Sequence, residues 1–153
     1  MQSTNVKYWS QIAVFIAVTV VLGYLKLPTA TGFVSLLDVG VYTAAFYLGG
    51  RQGAVVGGLG GFLLDLLLGY PQWSLFSLLA HGGQGRLAQG LIPSRWLSGL
   101  LSSLFMVTVY AGASSLMYSP AAALPEMIPN FIQSFLGFLL AQILVKLLRR
   151  SHV

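Results

Sequence analysis

Four polar residues, Ser74, Ser77, His81 and Gln84, stand at i, i+3, i+7 and i+10 in a segment otherwise rich in Leu, Phe and Ala. At about 3.6 residues per turn, these offsets place all four on one face of a helix. Hydroxyl, imidazole and carboxamide groups in a row can hydrogen-bond a small polar ligand, and an imidazole can also carry a proton. A second segment repeats the arrangement with Glu126, Asn130, Gln133 and Gly137, again at helical spacing. A single polar residue on a membrane helix often only bonds a neighbouring helix. Four on one stripe cannot be solvated by lipid, so the two stripes predict a wet or ligand-filled cavity between their helices. Two further acids, Asp38 and Asp65, lie in apolar surroundings. Asp38 is expected to contribute a hydrogen-bond acceptor to the cavity. Asp65 is open between a ligand contact and a bond to another helix.

Trp73 directly precedes the first stripe and is the residue expected to stack on a ligand. Tyr70, Tyr110 and Tyr118 fall near the same end, where an interfacial aromatic belt would also put them. Tyr110 is included among the candidate binding residues. No metal site is expected, because His81 has no second histidine and no cysteine nearby, and His152 lies in the tail on the other side. His81, Ser77 and Asp65 could formally make a catalytic set. Neither a nucleophile elbow nor an HExxH sequence accompanies them, so no catalytic residue is expected. The glycines of GGLGG lack the Lys-Ser/Thr ending of a phosphate loop. The chain therefore cannot hydrolyse ATP, and active transport would have to be powered by a partner.

These side chains need a scaffold, and composition defines its kind. Of 153 residues, 56% are apolar and 7% charged, with 18 glycines and no cysteine. A soluble domain carries about 25% charged residues. So few charges cannot cover a water-exposed surface, and an integral membrane protein is expected. The lack of cysteine excludes disulfide staples and Cys-ligated metal. The net charge of +5 would suggest nucleic acid in a soluble protein. Here the basic residues separate apolar segments and read as topology signals. The N-terminus has neither the charged n-region nor the cleavage site of a signal peptide, so the first apolar segment is expected to stay in the mature protein.

A membrane helix takes about 20 mostly apolar residues. Six are expected, at 8–25, 36–48, 53–68, 72–91, 96–117 and 126–148, forming an all-α bundle in one membrane domain. The second is short, with Asp38 in its first turn. PTATGFVS reads as a loop of mobile composition, Gly-Gly-Arg-Gln-Gly as a tight turn, Gly69-Tyr70-Pro71 as another, and 119–125 as a loop. An even helix count puts both termini on one side. That side receives Lys7, Arg51, Arg86, Arg95, Lys146, Arg149 and Arg150, and the other only Lys26. Both termini are therefore expected in the cytoplasm. Asp38, Asp65 and Glu126 then fall in the outer half. Small residues four apart, Ala13 and Ala17 in the first helix and Gly53, Gly57 and Gly61 in the third, would allow close helix contact.

The order of an AxxxA first helix, a loop, and then FVSLLDVGVYTAAFYLGGRQGAVVGGLGGFLLDLLLGYPQWSLFSLLAHGGQG resembles the substrate-binding S components of energy-coupling factor (ECF) vitamin transporters, in the riboflavin/hydroxymethylpyrimidine/pyridoxine branch. The similarity covers about residues 36–90 well, and the remainder only in helix count and length. It implies a six-helix protein of a prokaryotic cell membrane that binds a vitamin or precursor near the outer face. It also implies docking on a transmembrane coupling protein driven by two ABC-type ATPases, with Ala13 and Ala17 matching the motif that contacts the coupling protein. The ligand would be held by helices four to six and capped by the loop between helices one and two. No cofactor is expected in this chain, since ATP is used by the partner subunits.

For the ligand, the outer half offers three acids, amides and aromatics but only Lys26 as a cation. An anionic vitamin would want more positive charge. A neutral or weakly basic heteroaromatic of hydroxymethylpyrimidine or pyridoxine type fits better, with riboflavin next. Two other classes stay open: a small membrane scaffold of the cell-shape type, and a membrane enzyme using His81 with Asp65.

Overall fold

The computed structural model describes residues 2–28 and 33–150. Six helices succeed one another: α1 Gln2–Tyr24, α2 Leu37–Leu48, α3 Gly50–Leu68, α4 Ser74–Ala88, α5 Arg95–Met117 and α6 Pro120–Arg150. Between α1 and α2, strands β1 Lys26–Pro28 and β2 Phe33–Ser35 pair antiparallel, with Leu27 opposite Val34. The stretch expected as a loop is thus a short hairpin on both flanks, and its residues 29–32 lie outside the described ones, as does His152. Pro28 takes a place in the pair because it is at the strand end, where its missing N–H breaks no ladder.

The solvent of this molecule is lipid, and its surface shows it. Large apolar side chains are exposed on five helices, among them Val14, Val18, Leu59, Leu63, Leu75, Leu79, Leu100, Leu104, Ile132, Leu136 and Leu140. Serines, glutamine, histidine and aspartate are buried instead. Among the described residues, four helices are long and apolar enough to cross a bilayer: α1 from Val6 to Tyr24, α3, α5 and α6. The chain is an all-α, multi-pass membrane bundle.

Helix α2, expected as a short membrane helix, is short and lies inside the bundle. Ten of its twelve residues, Leu37 through Phe46, are buried. It packs against α1, α3, α4 and α6, so it forms the middle of the bundle. At 1.5 Å per residue it is about 18 Å long, well short of the roughly 30 Å hydrocarbon layer. It is tolerated at that length because neighbouring helices, not lipid, surround its ends.

Several boundaries differ from the sequence reading, each for a local reason. The Gly-Gly-Arg-Gln-Gly break shrinks to Gly49, whose φ of 117° turns the chain in a single residue, so α3 starts at Gly50. Helix α4 runs from Ser74 rather than 72, because residues up to Trp73 are held in successive turns, with the Trp73 N–H bonded to the Tyr70 carbonyl. It stops at Ala88 rather than 91, since Gln89 is extended and Gly90 is left-handed at φ 88°. The expected loop 119–125 is helical: α6 begins at Pro120, a favoured opening residue, after Ser119 caps the Ala122 N–H at 3.2 Å. Three alanines then support the helix, which carries Pro125 and Pro129 inside it.

Glycine permits the closest crossing in the bundle, that of α3 with α4. A Cβ on Gly57 would run into the His81 carbonyl oxygen, and one on Gly85 into the Gly53 backbone. A Cβ on Gly61 would lie 2.7 Å from His81 Cδ2. These small residues do what their four-residue spacing suggested, and they bring the His81 ring against α3. Ala13 and Ala17, in contrast, are exposed on the outer surface of α1.

Candidate functional site

At the end of the bundle that carries the hairpin and the α3–α4 turn lies a cavity of about 420 Å³. Its walls come from β2 (Ser35), α2 (Leu37), α3 (Gly61, Leu64, Asp65), the turn (Tyr70, Gln72, Trp73), α4 (Ser77, His81), α5 (Tyr110) and α6 (Glu126, Asn130, Gln133), with Tyr118 at the α5–α6 junction. Ser77 and His81 of one stripe and Glu126, Asn130 and Gln133 of the other line one space; Ser74, Gln84 and Gly137 do not. That space is not formed by α4 and α6 alone, since α3 and α5 supply an acid and a phenol between them.

The stripe on α4 divides. All four of its members are buried. Ser77 and His81 line the cavity. Ser74 instead closes the start of the helix by donating to the Pro71 carbonyl at 2.7 Å. Gln84 lies beneath the cavity wall, accepting at Oε1 from His81 Nδ1 at 2.9 Å and donating from Nε2 to Ser134 Oγ at 2.7 Å. Ser74 and Gln84 stand ten residues, about 15 Å, apart along the helix, and neither lines the cavity.

His81 is the centre of the site. Its Nδ1 is 3.1 Å from Asp38 Oδ1 as well as 2.9 Å from the Gln84 oxygen. Two acceptors around one ring nitrogen require that nitrogen to carry a proton. The Asp38 contact is at ion-pair distance without hydrogen-bond direction, which leaves Asp38 Oδ1 buried with no directed donor. Asp38 itself is fully buried and does not line the cavity. Its other oxygen accepts from Gln133 Nε2 at 2.7 Å, while Gln133 Oε1 accepts the Ser35 backbone N–H at 2.6 Å. Gln133 thereby ties β2, α2 and α6 together at the cavity edge.

A second chain of bonds crosses the cavity wall. Ser77 Oγ donates to Asp65 Oδ2 at 2.5 Å and meets the Tyr110 hydroxyl at 2.6 Å, and that hydroxyl meets His81 Nε2 at 3.0 Å. The order is Asp65–Ser77–Tyr110–His81. Hydrolytic catalysis by such a set needs the imidazole on the serine and the acid on the imidazole, and here the serine is on the acid. Among the described residues, no three His, Cys, Asp or Glu side chains gather as a metal site.

Trp73 is half-buried at the cavity, its ring 5.9 Å from that of Tyr110 and 6.1 Å from that of Tyr118. Glu126 and Asn130 line the opposite side from α6, both half-buried. Ser35, Leu37, Leu64 and Gln72 were not singled out from the sequence. Ser35 and Gln72 sit outside the helices, where a polar residue carries no periodic signal, and the leucines are indistinguishable from lipid-facing ones. Below the cavity a further polar cluster joins three helices: the Tyr42 hydroxyl lies 3.0 Å from each of Ser102, Ser103 and Ser134. Ser98 and Ser102, four residues apart in α5, were the available hint.

A lipid-facing helical bundle with a ligand-sized polar cavity open at one end is the architecture of a membrane protein that binds a small solute. Comparison with known proteins makes this specific. The model of the family described as "ECF-type riboflavin transporter, S component" matches residues 3–150. The chain is 42% identical over 157 residues to the "Thiamine precursor transporter HmpT" of Lactococcus lactis subsp. cremoris (strain MG1363), covering 100% of this chain and 94% of that protein. It is also 28% identical over 131 residues to an "Uncharacterized protein in gap 3'region" of Pyrococcus woesei, covering 82% of this chain and 88% of the other. The chain belongs to the family of ECF-type transporter S components. The family is one of membrane transporters, and its S components work with a coupling protein and ATPases.

Proposed function

We propose that this chain captures a neutral or weakly basic heteroaromatic vitamin precursor, of hydroxymethylpyrimidine or pyridoxine type, and delivers it inward with a coupling protein and two ATPases. One observation carries the ligand class: the cavity lining combines the carboxylates of Asp65 and Glu126, the amides of Gln72, Asn130 and Gln133 and the rings of Trp73, Tyr70, Tyr110 and Tyr118, and among the described residues it holds no Lys or Arg. Carboxylates repel an anionic ligand and accept from N–H and O–H groups, while aromatic faces take up a flat ring. The likeness to a thiamine precursor transporter supports the same class. Riboflavin stands second, in line with the family description.

In this reading Trp73, Ser77, His81, Tyr110, Glu126, Asn130 and Gln133 contact the ligand, whereas Asp38 and Gln84 hold His81 in place from behind. The cavity end faces outward and both termini lie in the cytoplasm. Arg95 stacks over the Phe46 ring at 4.9 Å and Arg149 donates to the Phe46 carbonyl at 3.1 Å, which gathers cations at the far end of α2 from the cavity. Positive residues at that end agree with a cytoplasmic position.

Equilibrium binding of the purified protein to a panel of vitamins and precursors tests the reading. The expected result is tight binding of the pyrimidine or a B6 vitamer, with riboflavin weaker. Preference for an anionic vitamin such as pantothenate would overturn it.

A further inference from the structure

Three contacts join Asp65, Ser77, Tyr110 and His81 in a row, and each needs one proton between its two atoms. The two hydroxyls supply one proton apiece. The third must sit at one end of the row, on His81 Nε2 or on Asp65 Oδ2. With it on Nε2, the ring donates to Tyr110, Tyr110 to Ser77, and Ser77 to an ionised Asp65. With it on Oδ2, every donor reverses. The acid then donates to Ser77, Ser77 to Tyr110, and Tyr110 to a bare Nε2.

The other ring nitrogen has no such freedom. Nδ1 faces Gln84 Oε1 at 2.9 Å and Asp38 Oδ1 at 3.1 Å, so it keeps its proton in both arrangements. The Gln84 amide is fixed in that sense, because its Nε2 donates to Ser134 Oγ, whose own proton goes to Ser103. The first arrangement therefore pairs an imidazolium with an ionised Asp65. The second pairs a neutral imidazole with a carboxylic acid, and the total charge is the same. The surroundings favour the first. From α2, Asp38 Oδ1 is buried against the ring with no directed hydrogen bond, and a positive ring is what offsets it. From α3 and α5 the ring meets only Asp65 and Tyr110 among titratable groups, through the row itself. On α6, Ser134 and Gln133 are uncharged, and Glu126 stands half-buried at the cavity.

We infer that these four side chains form a proton relay, in which the ionisation of Asp65 and that of His81 are a single equilibrium carried by Ser77 and Tyr110. One passage moves the Nε2 proton to the Tyr110 oxygen, the Tyr110 proton to the Ser77 oxygen, and the Ser77 proton to Asp65 Oδ2. No proton enters or leaves. Asp65 lines the cavity, so the wall there changes from hydrogen-bond acceptor to donor without exchange with water. Heterocycles are the class of solute for which this matters, since their ring nitrogens occur both as N–H donors and as bare acceptors. Ser77 and Tyr110 are positioning residues for the proton. The relay stands on the geometry of the wall, whichever solute the cavity takes.

The test is nitrogen-15 NMR of the full-length, ligand-free protein in detergent, labelled only at histidine. The chain has two histidines, and His152→Ala assigns the signals of His81. At about pH 8, where a free imidazole is neutral, wild-type His81 should carry protons on both ring nitrogens. Ser77→Ala keeps both Asp38 and Asp65 but frees the Tyr110 proton for Nε2. Its doubly protonated fraction should fall at least about threefold, and Ser77→Thr, which restores a hydroxyl, should recover it. A singly protonated wild-type ring overturns the inference, as does a Ser77→Ala ring protonated like wild type. Should Ser77→Ala fail to give a monodisperse folded protein, Tyr110→Phe makes the same comparison. That variant leaves an Nε2 proton without an acceptor, so its ring should also be singly protonated, and an unchanged ring overturns the relay.

Discussion

At the scale of single residues, the site is governed by what burial does to polar groups. Asp38 has no exposed surface and is held by Gln133 and His81. Removing one member of a buried pair leaves the other uncompensated, a loss of about 3–5 kcal/mol. Asp38→Ala is therefore expected to lower the thermal midpoint of the detergent-solubilised protein markedly. Asp38→Asn, which keeps an acceptor for Gln133, should lower it less. Thermal unfolding measured by circular dichroism reads both, and an Asp38→Ala midpoint equal to wild type would refute the pairing. Trp73 belongs to a different case. It is half-buried against Tyr110 and Tyr118 and contributes ring area rather than a bond. Trp73→Ala should weaken ligand binding about tenfold, near 1.4 kcal/mol, while Trp73→Phe keeps most of the affinity. Isothermal titration of both variants distinguishes stacking from a generic loss of fold.

At the scale of elements, the α3–α4 crossing sets where His81 stands. Gly57 meets the His81 carbonyl, a backbone atom that cannot swing aside. Gly57→Ala should cost about 1–3 kcal/mol by overpacking and displace the ring of His81. Gly112→Ala on α5 provides the contrast, for nothing lies within 4 Å of a Cβ there. That variant should melt at or slightly above the wild-type temperature. Paired melting curves of the two variants check the packing argument without any knowledge of the ligand. The hairpin is tied to the helices through the Ser35 N–H to Gln133 bond. Gln133→Leu removes both that bond and the one to Asp38. It is expected to speed ligand dissociation more than it slows association, since the cavity edge is then held more loosely. Stopped-flow measurement of the two rates decides it.

At the scale of the whole molecule, the outer surface and the inner site separate cleanly. Ala13 and Ala17 are exposed on α1, on the lipid side. If a coupling protein packs there, Ala13→Leu with Ala17→Leu should abolish co-purification of the coupling protein and ATPases and leave ligand affinity within about twofold, a few tenths of a kcal/mol. Recovery of an intact complex with both residues changed would remove this face from the interface.

How much of the molecule is legible in its sequence depends on the range of each interaction. The membrane class, the six helices and the two polar stripes are local matters: charge fraction, apolar run length and a 3.6-residue period are all written along the chain. The small-residue spacing of Gly53, Gly57 and Gly61 likewise announced a close crossing. What the sequence could not determine is where residues far apart in the chain meet. Asp38 with Gln133, Tyr42 with Ser134, and Ser77 with Tyr110 are separated by 95, 92 and 33 residues. No periodicity encodes such pairs. The burial of α2 in the middle of the bundle, the retreat of Asp38 and Gln84 behind the cavity wall, and the arrival of Asp65 at its surface were decided by how six helices of unequal length pack together. The sequence by itself determined that polar groups must be enclosed, because lipid cannot solvate them. Only the tertiary structure decided which of them face each other and which face the ligand.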